Sequence, residues 1–209
     1  MIHFSLIRHA RTQWNLEKKI QGRKDLPLCP QGEEDARIWA ENLAGQSFDL
    51  ILASPLTRAG QTAKILAAGL ELEIEYDKDL VEQDFGLWEG SRIKDLRRSY
   101  PEELEHQEAL GWEFRPPKGE SRTQVLNRGL AALARAAERF EGRNLLVVTH
   151  NSMIKCLTYH GLGRGFLPEE PGVLRPCHVH GFEWDLFIKP TGLNRMNLMK
   201  SAKAKKDGS

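Results

Sequence analysis

Short apolar runs alternate along this chain with segments whose apolar residues recur every three or four positions. His3-Phe-Ser-Leu-Ile7 and Asp49-Leu-Ile-Leu-Ala53 are runs of strand length, and Asn144-Leu-Leu-Val-Val-Thr149 is the strongest of them. Unbroken aliphatic runs of this kind suit strands covered on both faces. Leu72 to Tyr76 and Val179 to Ile188 predict two further strands. Between them, Ala36, Trp39, Ala40 and Leu43 recur at helical spacing and predict an amphipathic helix over about residues 31–44. Ser54-Pro55 reads as a helix start, because Ser caps a free N–H and Pro fits the first turn. That helix runs to about Ala68, with Gly69 as its stop. Ser121 and Gln124 have capping-box spacing, and Leu126, Leu130, Leu133, Ala137 and Phe140 follow as a stripe ending near Gly142. A last helix is predicted from His150 to about Tyr159. Strand and helix alternate, so the expected fold is α/β: a single-domain, three-layer α/β/α sandwich around a mainly parallel sheet.

No repeat or linker divides residues 1–199, which are expected to form one catalytic domain. Residues 85–120 are poor in strand signal and rich in Gly, Pro and charge. They predict an inserted, lid-like segment with one or two short helices over a site. The polar, basic tail 200–209 is expected to be disordered.

Composition narrows the field of partners. Lys and Arg number 30 against 29 Asp and Glu, a net charge of +1. No global field therefore points to nucleic acid or a membrane surface, and an anion site must come from local clustering. Cys29, Cys156 and Cys177 are odd in number and widely spaced, which argues against a disulfide framework and for a reducing compartment. A strand starting near residue 2 leaves no room for a signal peptide, so a cytoplasmic protein is expected. No apolar run approaches the roughly 18 residues a membrane span requires.

Local clustering does appear. Arg8-His9 ends the first predicted strand, Arg58 falls in the first turn after the second, and His150 follows the strand 144–149. In open α/β sheets, ligands bind at the carboxyl ends of strands. The helices after Ser54 and Thr149 would point their N-termini, with free N–H groups, at the same edge. Charge, donors and location agree on a small, strongly anionic group.

These residues fall within longer motifs. Leu6-Ile-Arg-His-Ala-Arg-Thr-Gln-Trp-Asn15 resembles the signature of the histidine phosphatase superfamily, which contains the phosphoglycerate mutases. The resemblance continues in Gln21-Gly22, Asp25-Leu-Pro-Leu28 with Gly32, and Ser54-Pro-Leu-Thr-Arg-Ala-Gly-Gln-Thr-Ala63. It extends through Glu82-Gln-Asp-Phe-Gly-Leu-Trp-Glu-Gly90, Pro116-Pro-Lys-Gly-Glu-Ser121 and Val147-Val-Thr-His150, all in family order. It implies a phosphoglycerate mutase-like fold with His9 as the nucleophile that becomes phosphorylated. Arg8 and Arg58 match the guanidinium clamps, His150 the second phosphate-binding histidine, and Glu82 the proton donor. Asn15, Gln21, Gly22 and Asn151 are expected to contact substrate. No metal or other cofactor is implied, and the partner is a small phosphorylated metabolite.

The chemistry stands beside the resemblance. Neutral imidazole is a competent nucleophile, and a covalent intermediate divides one hard displacement into two easier ones. Phosphoryl transfer asks mainly for positioning and charge stabilisation, which the planar fork of Arg supplies. A carboxylic acid gives the leaving group its proton, then takes one from the attacking water.

Four positions depart from the family pattern. Ala10 stands where Gly is usual, which matters if that turn needs positive φ. Cys29 replaces a common Thr, Asn151-Ser152 replace small glycines, and Lys118 replaces a frequent Gly. A zinc alternative comes from Cys156 and His160 with Cys177, His178 and His180, but it lacks a tight Cys-x-x-Cys pair. One of His178 and His180 is a candidate pocket residue. Gly161-Leu-Gly-Arg-Gly165 follows a helix and reads as a loop, not a nucleotide fingerprint.

Mutases of the family carry a longer segment between acid and second histidine, with an Arg-Arg pair ahead of Pro-Pro. Here the stretch reads Trp112-Glu-Phe-Arg-Pro-Pro117, and Arg97-Arg98 sits in another context. Phosphomonoester hydrolysis is therefore favoured, with a cofactor-dependent phosphoglycerate mutase as the alternative. A catalytically silent phospholigand-binding protein is the alternative of another class. Trp-rich surfaces leave either a monomer or a homodimer open.

Overall fold

The structure, a computed structural model, describes residues 1–200. The tail expected to be disordered therefore lies, apart from Lys200, outside the described residues. In chain order the elements are β1 (Ile2–Arg8), α1 (Gln13–Leu16), α2 (Pro30–Leu43), β2 (Leu50–Ala53), α3 (Thr57–Leu70) and β3 (Ile74–Tyr76). Then come α4 (Ile93–Ser99), α5 (Pro101–Ala109), α6 (Arg122–Arg139), β4 (Asn144–Thr149), α7 (Asn151–Gly161), β5 (His178–Trp184) and β6 (Ile188–Asn197). The six strands form one sheet in the order β3-β2-β4-β1-β5-β6. The first four are mutually parallel, while β5 pairs antiparallel with β1 and β6 antiparallel with β5.

The apolar runs are unbroken because both faces of the sheet are covered. Along β4, Leu145 and Val147 pack into the cluster that holds Leu133, Met153 and Leu157 of α6 and α7. Leu146 and Val148 face the other way, against Trp39 and Leu43 of α2 and Ala63 and Leu66 of α3. A strand's period of two thus divides one aliphatic run between two helix layers. The chain is the expected three-layer α/β sandwich. No described helix is long and apolar enough to cross a membrane.

Several boundaries differ from expectation. Ser54 does not cap a helix. α3 starts at Thr57, whose N–H and hydroxyl donate to the Asp25 carboxylate, each at 2.7 Å. The α3 helix runs past Gly69 to Leu70, and the left-handed residue that ends it is Glu71, at φ 56°. The third strand shrinks to Ile74–Tyr76. The strand expected over Val179 to Ile188 is instead the first arm of a hairpin, with β6 as its partner. By contrast, the capping box holds: Gln124 N–H donates to Ser121 Oγ, and Ser121 N–H to Gln124 Oε1. None of the five tryptophans is exposed, so the expected Trp-rich surface is absent: their rings are wholly or partly covered by packing. Residues 85–120 hold α4 and α5 with two single 3₁₀ turns, Gly86–Trp88 and Gly111–Glu113.

Candidate active site

Three adjacent parallel strands end together. β1 delivers Arg8 and His9, β4 delivers His150, and β2 delivers Ser54. Backbone bonds lock the ends in register: His9 N–H donates to Thr149 O at 2.9 Å, and Ser54 N–H to Val148 O at 3.0 Å. The His9 and His150 rings lie 5.2 Å apart, centroid to centroid. Residues separated by about 140 positions in the chain are thus neighbours because β1 and β4 are neighbours.

The hydrogen bonds assign each ring nitrogen a role. His9 Nδ1 lies 2.7 Å from Ala10 O, an acceptor only, so Nδ1 carries the proton. Nε2 is then a lone pair, and it accepts from Arg58 Nε–H at 3.2 Å. Burial, then the charges of Arg8 and Arg58, hold the His9 imidazole well below its ordinary pKa. The ring is therefore neutral at pH 7 with its free electron pair on Nε2. His150 is pushed down in the same way, by burial first and then by Arg58. Its Nε2 is 2.8 Å from Ser54 Oγ. His150 Nδ1 is buried with no partner, and it carries the ring proton when the Ser54 hydroxyl donates to Nε2.

Arg58 is fully buried, with its fork spread over backbone: Nη1 donates to Lys24 O and Nη2 to Gly22 O, both at 2.8 Å. Gly22 has φ 54°, which favours glycine, and a Cβ there would have to displace the Glu89 carboxylate. Arg8 Nε is buried and unpartnered. Arg8 lines a cavity of about 150 Å³ together with His9, Arg58 and Glu82, while His150 lies behind this lining and does not form part of it. Buried donors without partners are uncommon, and an anion in the cavity would satisfy Arg8 Nε–H. Gln21 is similar: its buried Oε1 has no partner, and with the carboxamide turned over the same position presents N–H.

Glu82 reaches the cavity from the loop before the 3₁₀ turn at residues 86–88. Its carboxylate accepts from Gln83 N–H at 2.9 Å and from Ser152 N–H, in the first turn of α7, at 3.1 Å. The backbone beneath it is held by Arg128, which donates to the carbonyls of Asp79, Val81 and Glu82 and pairs with Glu120 at 2.8 Å. Thr149 Oγ donates to Leu80 O at 2.7 Å in support.

Residues 4–185 match the sequence profile of the histidine phosphatase superfamily, branch 1. This chain belongs to that superfamily. Among relatives, it is 33% identical over 152 residues to a protein of Bacillus subtilis named uncharacterized phosphatase PhoE, covering 73% of each chain. It is also 33% identical over 193 residues to a probable phosphoglycerate mutase, GpmB, of Salmonella choleraesuis, covering 88% of this chain and 86% of that one. The structure superposes with a TM-score of 0.80 on phosphoserine phosphatase of Entamoeba histolytica in complex with 3-phosphoglyceric acid. That match has 26% identity and covers 96% of this chain and 100% of that one.

The other expected residues of this histidine phosphatase fall as follows. Asn151 opens α7 and lines the His9 cavity, which Gln21 and Gly22 also line. Asn15 does not line it. Its Oδ1 accepts from Thr12 N–H at 3.0 Å in the capping box of α1, which leaves only its amide N–H groups unengaged. His178 and His180 do not line it either: His178 Nδ1 donates to Pro176 O, and His180 Nδ1 accepts from Asn194 N–H. Among the described residues, no cluster of three His, Cys, Asp or Glu is set to hold a metal. Ala10 has no positive φ; its N–H donates to Thr62 Oγ at 3.1 Å and its methyl is buried among Ile7 and Ala59. Lys118, in contrast, does adopt the left-handed conformation, at φ 60°.

Sequence reasoning missed Lys19, Ile20, Phe85 and Ile93, which also line the cavity, and Arg128, which braces Glu82 from below. Phe85 and Ile93 come from the segment 85–120 expected to cover a site. Arg128 carried one usable signal: it is a lone basic residue in the second turn of a long amphipathic helix.

Proposed function

We propose that this chain is a metal-independent phosphomonoester hydrolase that acts through a phosphohistidine on a small phosphorylated metabolite. One observation carries the reading: a buried, neutral His9 whose Nδ1–H is committed to Ala10 O and whose Nε2 lone pair faces two guanidinium groups. A phosphate dianion entering the cavity meets Arg8 Nε–H and the Arg58 fork, with His150, its ring 5.2 Å from that of His9, as a further partner. It draws the Arg58 Nε–H away from His9 and frees Nε2. Nε2 then bonds to phosphorus as the ester P–O bond breaks, and Glu82 gives its proton to the departing oxygen. The phosphorylated ring still carries Nδ1–H and is an imidazolium, a good leaving group stabilised by Ala10 O. Water, deprotonated by Glu82, attacks phosphorus, and inorganic phosphate leaves. Gln21 adds an amide donor, and Asn151 lies beside the leaving group.

Hydrolysis is favoured over mutase chemistry because Arg97 and Arg98, the adjacent cations of the segment over the site, do not reach the cavity. They pair with Glu108 and Asp95 on the surface of α4 and α5. The free thiols of Cys29, Cys156 and Cys177 fit a reducing cytoplasm. The test is a trap. Rapid quench with a labelled phosphomonoester, without added metal, yields an acid-labile, base-stable phosphoprotein that His9→Ala abolishes. Glu82→Gln lowers kcat by roughly 10²–10⁴ for esters of poorly leaving alcohols. Binding without labelling would indicate a silent phospholigand protein, and primer-dependent isomerisation of 3-phosphoglycerate a mutase.

A further inference from the structure

The catalytic cavity is too small to hold much beyond a phosphoryl group, but it does not end blindly. A second cavity of about 310 Å³ meets it at Phe85, Ile93, Asn151 and Ser152. Ser152 is the residue whose N–H holds the Glu82 carboxylate. The proton donor must face the departing oxygen, so the second cavity lies on the leaving-group side.

Its walls have two characters. Phe85, Trp88, Leu104, Phe114 and Phe166 make it aromatic and apolar. Trp88 and Phe114 meet edge to face with centroids 5.8 Å apart, a rigid flat-sided slot. The charged residues on the wall are Arg122, Glu108 and Lys155. Arg122 is engaged already: its guanidinium lies 4.1 Å from the ring centroids of both Phe114 and Phe166, and Nη1 donates to Gly111 O and Phe166 O. Glu108 pairs with Arg97 at 3.3 Å. Lys155 lies one helical turn beyond Asn151 on α7 and, among the described residues, has neither an ion pair nor a hydrogen bond. Burial first, then Arg122, pushes its ammonium below the usual lysine range. An ammonium that gives up hydration without a carboxylate in return is destabilised until an anion arrives.

We propose that the leaving group is an aromatic or similarly flat apolar alcohol bearing a carboxylate, with its ring in this slot and its carboxylate on Lys155. The inference rests on the hydrolase reading above and adds the substrate class. Three probes with leaving alcohols of similar acidity separate its parts: 4-(phosphooxymethyl)benzoate, the methyl ester of that compound, and 3-phosphooxypropanoate. The first has ring and carboxylate, the second ring alone, the third carboxylate alone. The expected result is that kcat/KM for the first exceeds each of the others by about tenfold, the usual worth of a charged hydrogen bond or a buried ring. Lys155→Met should collapse the acid-to-ester ratio to within about twofold, and Lys155→Arg should restore it. A wild-type ratio near one, or a ratio that survives in Lys155→Met, would overturn the proposal. Calorimetric binding of the same probes to His9→Ala reads the same order without turnover. If the wild type hydrolyses none of them, the hydrolase reading fails, and the binding order alone decides the fate of the slot.

Discussion

Acidifying this protein should cost stability in a way that one substitution can isolate. His9 is 4% exposed, sits beside two guanidinium groups, and is held well below the ordinary histidine pKa. In the unfolded chain its pKa returns to about 6.5. A histidine depressed in the folded state is neutral in both states above that value, so it adds no pH dependence there. As pH falls below about 6.5, the unfolded chain takes up a proton that the folded one refuses, and stability is lost. Between pH 7.5 and 5.5 this amounts to about 1.4 kcal/mol for a ring that stays neutral in the fold. His150 behaves alike, and His180, lowered to about 4, adds a third contribution. Other groups titrate over the same range, so the wild-type slope alone proves little. The difference from His9→Gln isolates the one ring. Urea unfolding in phosphate-free buffer should show the stability gap between wild type and His9→Gln shifting by about 1.4 kcal/mol between pH 7.5 and 5.5, with the wild type losing more on acidification. His150 stays neutral in the variant because burial, not His9, is its largest cause. A gap unchanged to within about 0.3 kcal/mol would mean that His9 accepts a proton in the fold. The depression of the His9 pKa by burial and its two guanidinium neighbours would then be refuted.

Three further predictions follow from particular residues. Arg128→Leu unpairs Glu120 and leaves the carbonyls of Asp79, Val81 and Glu82 without their donor. It should cost about 3–5 kcal/mol of stability by denaturation and lower kcat more than it raises KM. Lys118→Gly relieves a left-handed backbone at φ 60° and should raise stability by about 0.5–1 kcal/mol, seen as a Tm increase of a few degrees. Ala10→Gly, a return to the family residue, should yield no gain in kcat. It should lower stability by about 1 kcal/mol, because the backbone there is not left-handed and the methyl is 1% exposed in the core. A rise in kcat for this variant would show that the turn at residue 10 is strained after all.

The parallel core of the fold was legible because its signal is local. Asn144–Thr149 is aliphatic throughout, so only a strand buried on both faces can satisfy it, and helices must cover each side. The antiparallel hairpin was half hidden. β6 reads Ile-Lys-Pro-Thr-Gly-Leu-Asn-Arg-Met-Asn, with proline and glycine inside it and no alternation. It survives as a strand because it is the sheet's edge, where Pro190 needs no ladder partner on its outer side. The start of α3 failed for a different reason. Ser54-Pro55 has the composition of a cap, yet the Ser54 hydroxyl serves His150, and Asp25 caps the helix from a remote loop. A side chain that sequence assigns to a local role had been taken by a nonlocal one.

The site shows the same division. His9, Arg8, Arg58, His150 and Glu82 could be read because each lies next to a strand end or within a motif, and parallel topology does the rest. The residues that hold them could not. Arg128 supports Glu82 through main-chain carbonyls, and a carbonyl carries no residue identity for a sequence to display. Phe85 and Ile93 reach the cavity from a segment of short helices whose path no periodicity fixes. Ala10 is the instructive case. From the chain alone, its methyl matters only if the turn needs positive φ. In the fold, the Thr62 hydroxyl accepts from the Ala10 N–H and itself donates to Arg58 O, at 3.1 and 2.7 Å. One hydroxyl thereby ties the turn after His9 to the helix carrying Arg58. The Ala10 carbonyl meanwhile fixes the tautomer of His9. What matters at position 10 is the direction of its N–H and C=O, which alanine presents as well as glycine does and holds with less entropy to lose. The departure from the family pattern at position 10 therefore leaves the His9 electron pair on Nε2, where the proposed attack on phosphorus needs it.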